Sequence, residues 1–201
     1  MYILGINAFH GDSSACLLKD GIVVSAIEEE RIKRIKHWAG FPEDSIKFCL
    51  KDQGITIEQI DYITISRAPK VNLFKKIFYY LSNPFSFLKI YKRLITYKKT
   101  KSLKIQLANI FKLPVSAIKA DIYCIEHHRS HMGSSFFASG FDDAAILSID
   151  GFGDFTSTMR AVGKGNKIDV IDEINYPHSL GAFYTAATQF LGFPNYGDEY
   201  K

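Results

Sequence analysis

A strand, a Gly-Asp turn and a second strand rich in hydroxyl groups occur twice in this sequence. Residues 3–9 align with residues 146–152, and after one position is removed Gly11-Asp12 aligns with Gly153-Asp154. Each copy continues into a small hydroxyl-rich strand, residues 13–15 and 156–158, and then into a turn and a third strand that ends in acids. Self-similarity of this kind indicates a repeated supersecondary unit. We therefore predict one complete β-meander lobe and the start of a second.

The spacing of apolar residues predicts strands and helices that alternate along the chain. The first meander is expected to contain strands over 2–7, 13–19 and 21–30. A helix should begin at Pro42-Glu43 and end at Gly54, and a strand should follow over 61–66. Further along we expect helices broken near Asn83-Pro84 and Pro114, a buried strand over 122–125, and helices over 130–138 and 179–191. This order of elements predicts an α/β protein.

Composition excludes several classes of protein. The 201 residues are 47% hydrophobic and 23% charged, which allows a real core and excludes intrinsic disorder. The chain start lacks the basic flank and long apolar segment of a signal peptide, so we expect a cytoplasmic protein. Three widely spaced cysteines, Cys16, Cys49 and Cys124, suit reduced thiols in the core better than disulfides or a zinc cluster.

Basic residues are concentrated in one part of the chain. The segment from Tyr62 to Ala120 holds 13 Lys and Arg and no Asp or Glu, although the net charge of the whole chain is only +4. Aromatic residues recur at spacings of three or four within residues 70–112, which predicts amphipathic helices with a basic face. This insertion, at about 70–120, can contact an anionic membrane surface, dock a further domain, clamp an anionic acceptor or form a surface lid. Nucleic acid is not an expected partner.

Two histidines are spaced to share one face of a helix. His127 and His131 are four positions apart, which brings their Cβ atoms within about 5–6 Å on a helix. Two imidazoles on one face suit a divalent transition metal, with iron as the first choice and zinc or manganese as alternatives. A carboxylate is needed to complete the site, and Asp150, predicted at the end of the next buried strand, is the candidate. The alternative is that one histidine caps the helix and another is exposed.

Two turns offer groups that can bind phosphate. The first presents the amides and hydroxyls of Gly11, Asp12, Ser13 and Ser14, and its repeat supplies Gly151, Gly153 and Asp154. Two such turns that face one another would form a phosphate cleft. His10, in the first turn, can act as a base near neutral pH. Ordinary turn chemistry is the alternative for each turn taken alone.

The loop after the third predicted strand combines charges with aromatic residues. Residues 28–42 contain acids, bases and the only tryptophan of the chain, Trp38. A solvated run of charges does not normally end in Trp-Ala-Gly-Phe-Pro. We therefore interpret Lys36 and His37 as facing an anionic ligand, the alternative being a loop held only by salt bridges.

Six ordered motifs resemble one known family of enzymes. They are Gly5-Ile6-Asn7-x-x-His10-Gly11-Asp12-Ser13-Ser14-Ala15, the loop from Glu28 to Pro42, Glu126-His127-His128-x-x-His131, Asp150-Gly151-x-Gly153-Asp154, Ser179-Leu180-Gly181-x-Phe183-Tyr184 and Gly197-Asp198-Glu199. Together they resemble the O-carbamoyltransferases of the NodU/CmcH type, which act in nodulation-factor and antibiotic biosynthesis. The resemblance covers the chain except residues 70–120. It implies an actin-like ATPase (ribonuclease-H-like) fold, in which paired turns hold the phosphates of a nucleotide.

The same resemblance implies a reaction and roles for particular residues. The family makes carbamoyl-adenylate from carbamoyl phosphate and ATP in a C-terminal YrdC-like domain, and transfers the carbamoyl group to a hydroxyl of a small-molecule acceptor in the Kae1-like part. His10 would lie at the transfer site and Lys36 near the nucleotide. The metal would be held by His127, His131 and Asp150, with a further carboxylate from later in the chain.

The resemblance also sets the expected domain organisation. Residues 1–142 should form the first lobe with its basic insertion, and residues 143–201 the start of the second, because the family continues beyond Lys201. Without the remaining lobe and the YrdC-like domain, the isolated fragment is expected to be inactive. Two alternatives stay open, a threonylcarbamoyl transferase of the same fold that acts on tRNA and a catalytically silent nucleotide-binding module.

Overall fold

The computed structural model describes residues 1–83, 102–195 and 197–200 and has a mixed α/β architecture. Its strands are β1 (Tyr2–Asn7), β2 (Ser14–Lys19), β3 (Ile22–Glu28), β4 (Tyr62–Ile65), β5 (Asp121–Cys124), β6 (Asp143–Gly153), β7 (Thr156–Lys164) and β8 (Lys167–Asn175). Its helices are α1 (Glu29–Lys33), α2 (Glu43–Asp52), α3 (Leu73–Ser82), α4 (Leu103–Phe111), α5 (His127–Ser139) and α6 (Leu180–Phe190), with short 3-10 helices at Ile57–Gln59, Val115–Ala117 and Asp198–Tyr200. The predicted α/β class is confirmed.

The first five strands form one sheet in the order β3-β2-β1-β4-β5. The meander β1-β2-β3 is antiparallel, whereas β4 lies parallel to β1 and β5 parallel to β4. This mixed order agrees with the ribonuclease-H-like lobe that the resemblance implies. Alternate side chains of a strand point to one face, and on β1 the buried ones are Leu4 and Ile6. They share a core with Ile46 and Leu50 of α2.

A buried carboxylate links the meander to α2. The third predicted strand ends at Glu28 rather than at residue 30, because the chain turns there into α1. Glu29, the first residue of α1, is fully buried. Its carboxylate accepts the backbone N–H of Asp44 (3.2 Å) and both the N–H (2.7 Å) and the hydroxyl (2.7 Å) of Ser45. Glu29 therefore caps α2 although it precedes the helix by 14 residues in the sequence, and it accepts from N–H groups that a helix N-terminus leaves unpaired.

The second sheet contains the antiparallel strands β6, β7 and β8. Its register matches the sequence repeat, since Ile6 pairs with Ala15 in the first sheet and the aligned Ile149 pairs with Thr158 in the second. The strand pairing predicted for the second copy is therefore confirmed.

The two copies nevertheless bury opposite faces of the repeated strand. Leu147 and Ile149, the counterparts of Leu4 and Ile6, are exposed to 62% and 47%. The reason is the position of α5, whose Met132 and Phe136 pack in one cluster with Ile146 on the other face of β6.

Two expectations about β5 are wrong. Among the described residues the strand lies at the edge of its sheet and pairs with β4 alone, and Tyr123 and Cys124 are exposed and not buried. Cys124 is therefore not a core thiol, whereas Cys49 is buried. In addition, β6 belongs to the other sheet and is not a parallel neighbour of β5, and Asp150 lies within β6 rather than at its end.

Contacts within the chain define two compact units. The first contains Met1–Ser66 and Ile77–Cys124, and the second contains Arg67–Lys76 and Ile125–Lys201. By its contacts α5 belongs to the second unit, whereas the lobe boundary expected from the sequence follows it, between residues 142 and 143. That boundary stays a prediction.

Helix α3 carries an exposed apolar stripe, formed by Phe74, Ile77, Phe78 and Leu81. The two lysines of α3 contact other parts of the protein. Lys75 forms an ion pair with Glu173, and the buried Lys76 donates to the backbone carbonyls of Pro69 and Val71. The expected basic face is therefore not formed by lysines of α3, and the part of the insertion over 84–101 lies outside the described residues. None of the helices in the described ranges has the length and apolar character needed to cross a membrane.

Candidate functional site

Three predicted metal ligands converge in the second unit. The Nε2 atom of His127 lies 2.7 Å from Oδ2 of Asp150 and 3.0 Å from Nε2 of His131, which is 3.5 Å from the same carboxylate oxygen. Atoms at these separations can all lie about 2.1 Å from one common point, a usual length for a bond from zinc to nitrogen or oxygen. A shared cation would also satisfy two imidazole nitrogens that otherwise face each other. The donor set therefore fits a divalent transition metal.

The cap of α5 brings the two histidines onto one helical turn. The Glu126 carboxylate accepts the backbone N–H groups of His128 (3.0 Å) and Arg129 (2.7 Å). Asp154 adds an acceptor for the N–H of His127 at 3.1 Å. With these caps, α5 begins at His127, three residues before the predicted start at 130.

Helix α6 fixes the part of β6 that carries Asp150. Ser179, the N-cap of α6, has its hydroxyl 3.0 Å and 2.7 Å from the carbonyl oxygens of Asp150 and Gly151. A Cβ atom at Gly181 would lie 2.5 Å from the carbonyl carbon of Asp150, so this close approach requires glycine. The N–H of Gly151 in turn donates to Oδ1 of Asp150 at 2.6 Å.

Gly153 and Asp154, predicted to bind phosphate, both support His127 in this structure. A Cβ atom at Gly153 would lie 1.9 Å from Cδ2 of His127, so the imidazole occupies the space that any other side chain would fill. The carboxylate of Asp154 accepts from the N–H of Ala68 (2.7 Å) as well as from that of His127. Phosphate binding by Gly151, Gly153 and Asp154 stays a prediction.

The electrostatics of the site favour an ionised carboxylate. Hydrogen bonds from His127 and His131 hold the pKa of the Asp150 carboxyl well below its usual range, although partial burial opposes this shift. Burial lowers the pKa of His127, but its hydrogen bond and charge interaction with Asp150 outweigh burial and raise the pKa overall. An ionised carboxylate is the form that binds a metal cation.

His128, between the two candidate ligands, belongs to the core. It is fully buried, with Nδ1 2.8 Å from the Ser148 hydroxyl and Nε2 3.1 Å from the Thr156 carbonyl oxygen. The carbonyl can only accept, so Nε2 carries the proton and Nδ1 accepts from Ser148. Burial lowers the pKa of His128 and keeps the ring neutral. Through these bonds His128 ties α5 to β6 and β7.

The first unit holds the other predicted site residues in two loops. In the turn between β1 and β2, Nδ1 of His10 lies 3.0 Å from the carbonyl oxygen of Gly11 and its Nε2 is buried. In the loop between α1 and α2, Lys36 is exposed, and Nδ1 of His37 lies 2.9 Å from Oδ1 of Asp12. The structure thus joins the two loops through His37 and Asp12.

Ser13 differs from its predicted role. It is fully buried, its N–H donates to the Trp38 carbonyl oxygen (3.1 Å), and its hydroxyl accepts the N–H of Gly40 (3.1 Å). Both groups with which it was expected to contact phosphate are therefore used to link the loops. Phosphate binding by Gly11, Asp12 and Ser14 stays a prediction, as do the roles of His10 and Lys36.

Sequence reasoning missed four supporting residues, and three of them carried a readable signal. Glu126 and Ser179 precede helices and are residue types that accept from helical N–H groups. Gly181 follows the Ser179 cap, and a glycine inside a helix indicates close approach of another backbone. Glu30, the third acid of the run 28–30, accepts the N–H of His37 at 3.0 Å, and the sequence gave no signal that singles it out from its neighbours.

Comparison with known proteins gives a family for this chain. Residues 2–201 match the family model described as carbamoyltransferase N-terminus. An uncharacterized protein of Synechocystis sp. is 38% identical over 207 residues, covering 100% of this chain and 33% of that protein. The nodulation protein NolNO of Sinorhizobium fredii is 34% identical over 203 residues, covering 97% of this chain and 27% of that protein. The chain thus spans about a third of the length of these curated relatives.

A solved structure, YeaZ from Pseudomonas aeruginosa, is also similar. It aligns with 13% sequence identity and a TM-score of 0.43, over 88% of this chain and 69% of that chain.

Proposed function

The chain belongs to the carbamoyltransferase N-terminus family, and we propose that it is part of an enzyme that transfers a carbamoyl group to a hydroxyl of a sugar or natural-product acceptor. The group would come from carbamoyl phosphate, activated with ATP as carbamoyl-adenylate. The match over residues 2–201 supports the transferase class. The activation step and the acceptor are inferred from the resemblance of the motifs.

The observation that carries this proposal is the convergence of His127, His131 and Asp150. These three side chains would hold a divalent transition metal, iron first and zinc or manganese next, and the bound ion would supply Lewis acidity toward the carbonyl oxygen of the carbamoyl group. The chain contributes the rigid mounting of the ligands, with α5 capped by Glu126 and β6 held by Ser179. Such mounting matters because transfer is sensitive to small displacements of the reacting groups.

The remaining roles are those that the resemblance implies for His10 and Lys36. A sugar hydroxyl has a pKa far above 7, so its proton must pass to a base as the new bond forms. His10, which the resemblance places at the transfer site, is the proposed acceptor of that proton. Lys36, exposed on the same loop as His37, would contribute positive charge toward the phosphate of the adenylate.

The test compares the 201-residue chain with the longest polypeptide that its gene encodes. Metal content is measured by mass spectrometry, and transfer is followed with labelled carbamoyl phosphate, ATP and a panel of hydroxyl acceptors. We expect both proteins to bind a transition metal and only the longer one to transfer the label. His127→Ala and His131→Ala should lose metal and transfer, whereas the exposed His178→Ala should keep both.

Other outcomes would overturn the proposal. Equal metal content in all three histidine variants would remove the metal site. Transfer to tRNA with a threonylcarbamoyl donor would favour the alternative transferase of the same fold. Nucleotide binding by the longer polypeptide without any group transfer would favour a silent module.

A further inference from the structure

The segment Arg67–Lys76 belongs to the second unit, although the residues before and after it in the chain belong to the first. The polar contacts that bind it to the rest of the second unit include the N–H of Ala68 to Oδ2 of Asp154 (2.7 Å), the side-chain amide of Asn72 to the Thr156 hydroxyl (3.2 Å), and the ammonium group of Lys75 to Glu173. These contacts attach the segment to the hairpin of β6 and β7 and to β8.

Asp154 and Thr156 also hold the first turn of α5. The oxygen of Asp154 that accepts from Ala68 also accepts the N–H of His127, at 3.1 Å. The carbonyl oxygen of Thr156 accepts from Nε2 of His128 at 3.1 Å. Both residues therefore contact the segment on one side and, on the other, the helix that carries the candidate metal ligand His127.

The turn that carries Asp154 is in an unusual conformation. Because Gly153 pairs with Thr156, Asp154 and Phe155 form a two-residue hairpin turn, and their φ angles are 49° and 83°. Such turns require positive φ at both positions, and glycine is usual at the second, where this chain has a bulky phenylalanine. Phe155 is buried, and its carbonyl oxygen accepts the N–H of Tyr176 at 2.9 Å. The turn therefore depends on its contacts to remain in this conformation.

The position of the His127 ring depends on the same turn. The ring lies against Gly153, where an added Cβ atom would be 1.9 Å from Cδ2 of His127. Its Nε2 lies 2.7 Å from Oδ2 of Asp150. Because Asp154 holds the backbone of His127 and Gly153 contacts its ring, a rotation of the turn would displace both parts of this residue.

We propose that Asp154 is a positioning residue that couples the attachment of the segment Arg67–Lys76 to the arrangement of His127. While the segment is attached, Ala68 and His127 donate to one oxygen of Asp154, and the turn keeps the imidazole beside Asp150. When the segment is released, the turn loses the bond from Ala68 and His127 is held less firmly. Coupling between two binding events is reciprocal, so a metal bound by His127 strengthens the attachment of the segment. Only this effect of a metal rests on the proposed function.

Amide hydrogen exchange, followed by NMR on the labelled chain without metal, tests the coupling directly. The double variant Asn72→Gly/Lys75→Met removes two contacts of the segment and leaves Asp154 and α5 intact. Asn72 has φ 57°, which glycine adopts without strain. We expect exchange of the Ala68 and His127 amides to become at least about tenfold faster. Lys112→Gly, at an exposed residue of the first unit with φ 55°, is the matched control and should leave both rates unchanged.

Variants of Asp154 test its place between the segment and His127. Asp154→Gly suits the φ of 49° and removes the shared oxygen, so exchange of both amides should become faster. Asp154→Asn keeps an amide oxygen as acceptor and should restore part of the protection. Combined with Asp154→Gly, the double variant of the segment should change exchange at His127 little further. Fully additive effects would contradict a shared path through Asp154.

Zinc titration measures the reciprocal effect. Zinc should slow exchange of the Ala68 amide in the native chain, and the double variant of the segment should bind zinc about 5-fold more weakly, with Lys112→Gly unchanged. Native exchange at His127 in the double variant would overturn the proposal. Circular dichroism checks that the variants fold, and Asn72→Gly alone replaces the double variant if that variant does not. If the native chain binds no zinc, the proposed metal site fails, and exchange at His127 still decides the role of Asp154.

Discussion

The Nε2 atoms of His127 and His131 lie 3.0 Å apart, and both lie within 3.5 Å of one oxygen of Asp150. Two neutral imidazoles turned toward each other in this way gain at most one hydrogen bond. The arrangement becomes favourable when a cation accepts the lone pairs of both rings and the carboxylate. The positions of these side chains also depend on neighbours that are not candidate ligands, and at Gly153 the ring of His127 occupies the space that a side chain would need.

Gly153→Ala should weaken metal binding without unfolding the chain. The added Cβ atom would lie 1.9 Å from Cδ2 of His127, so the ring must move away from its place beside Asp150. We expect a loss of about 10–100-fold in affinity, the range for groups that orient metal ligands. Gly151→Ala is the matched control, because no heavy atom lies within 4 Å of a Cβ there. Calorimetric titration with zinc measures both, and equal affinities would contradict the role given to Gly153.

The candidate ligands His127, His131 and Asp150 were chosen correctly as neighbours from the sequence, but the way they meet was not predicted. The spacing of His127 and His131 depends only on helical geometry, which a local pattern reports. Asp150 was chosen as a parallel neighbour of the preceding strand, whereas β5 and β6 lie in different sheets. It reaches the histidines because α5 packs on β6, a contact set by Met132, Phe136 and Ile146. No local pattern reports which of two apolar faces a helix will cover.

His128→Leu should destabilise the fold. Leucine would leave the Ser148 hydroxyl and the Thr156 carbonyl oxygen without this partner, and both residues are buried. Each such group costs about 1–3 kcal/mol, so we expect a loss of about 2–4 kcal/mol in the free energy of unfolding. Urea denaturation measures it. His178→Leu, at an exposed histidine, should change stability by less than about 0.5 kcal/mol. Similar losses in both variants would show that His128 has no special structural role.

Glu29 shows a similar limit of sequence reasoning in the first unit. The acidic run after β3 suggests a solvated loop, and nothing local distinguishes Glu29 from Glu28. The distinction comes from α2, because the N–H groups of its first turn donate to the carboxylate of Glu29 and not to that of Glu28. By contrast, strands β1 to β4 and helix α2 were predicted closely, because alternation, Pro42 and Gly54 are local signals.

Glu29→Gln should lower stability far more than Glu28→Gln. An amide presents N–H groups where Asp44 and Ser45 already donate, and it removes the charge that strengthens these bonds. We expect a loss of about 2–4 kcal/mol, since hydrogen bonds to charged groups contribute more than neutral ones. Glu28, on the surface with Arg31 at 3.5 Å, should contribute less than about 1 kcal/mol. Denaturant midpoints of the two variants provide the comparison, and a reversed order would refute the cap.

The basic insertion leads to the last prediction, which concerns an anionic membrane surface. Helix α3 exposes Phe74 (88%), Phe78 (75%) and Leu81 (79%) on one stripe, an arrangement that suits shallow insertion between lipid headgroups. Its own lysines are engaged within the protein, so attraction to the lipid would come from the other basic residues between 62 and 120. Two separate contributions to binding follow, one apolar and one electrostatic.

Sedimentation with anionic vesicles separates these contributions. The native chain should pellet at low salt and less at high salt, because the Debye length falls from about 10 Å at 0.1 M to about 3 Å at 1 M. The double variant Phe74→Ser/Phe78→Ser should pellet less at both salt concentrations. Phe190→Ser, at a phenylalanine that is 90% exposed on α6, is the matched control and should pellet like the native chain. If the native chain does not pellet, the insertion does not bind membranes and instead acts as a lid or a docking element. Equal pelleting of the double variant and the native chain would remove the apolar contribution of α3.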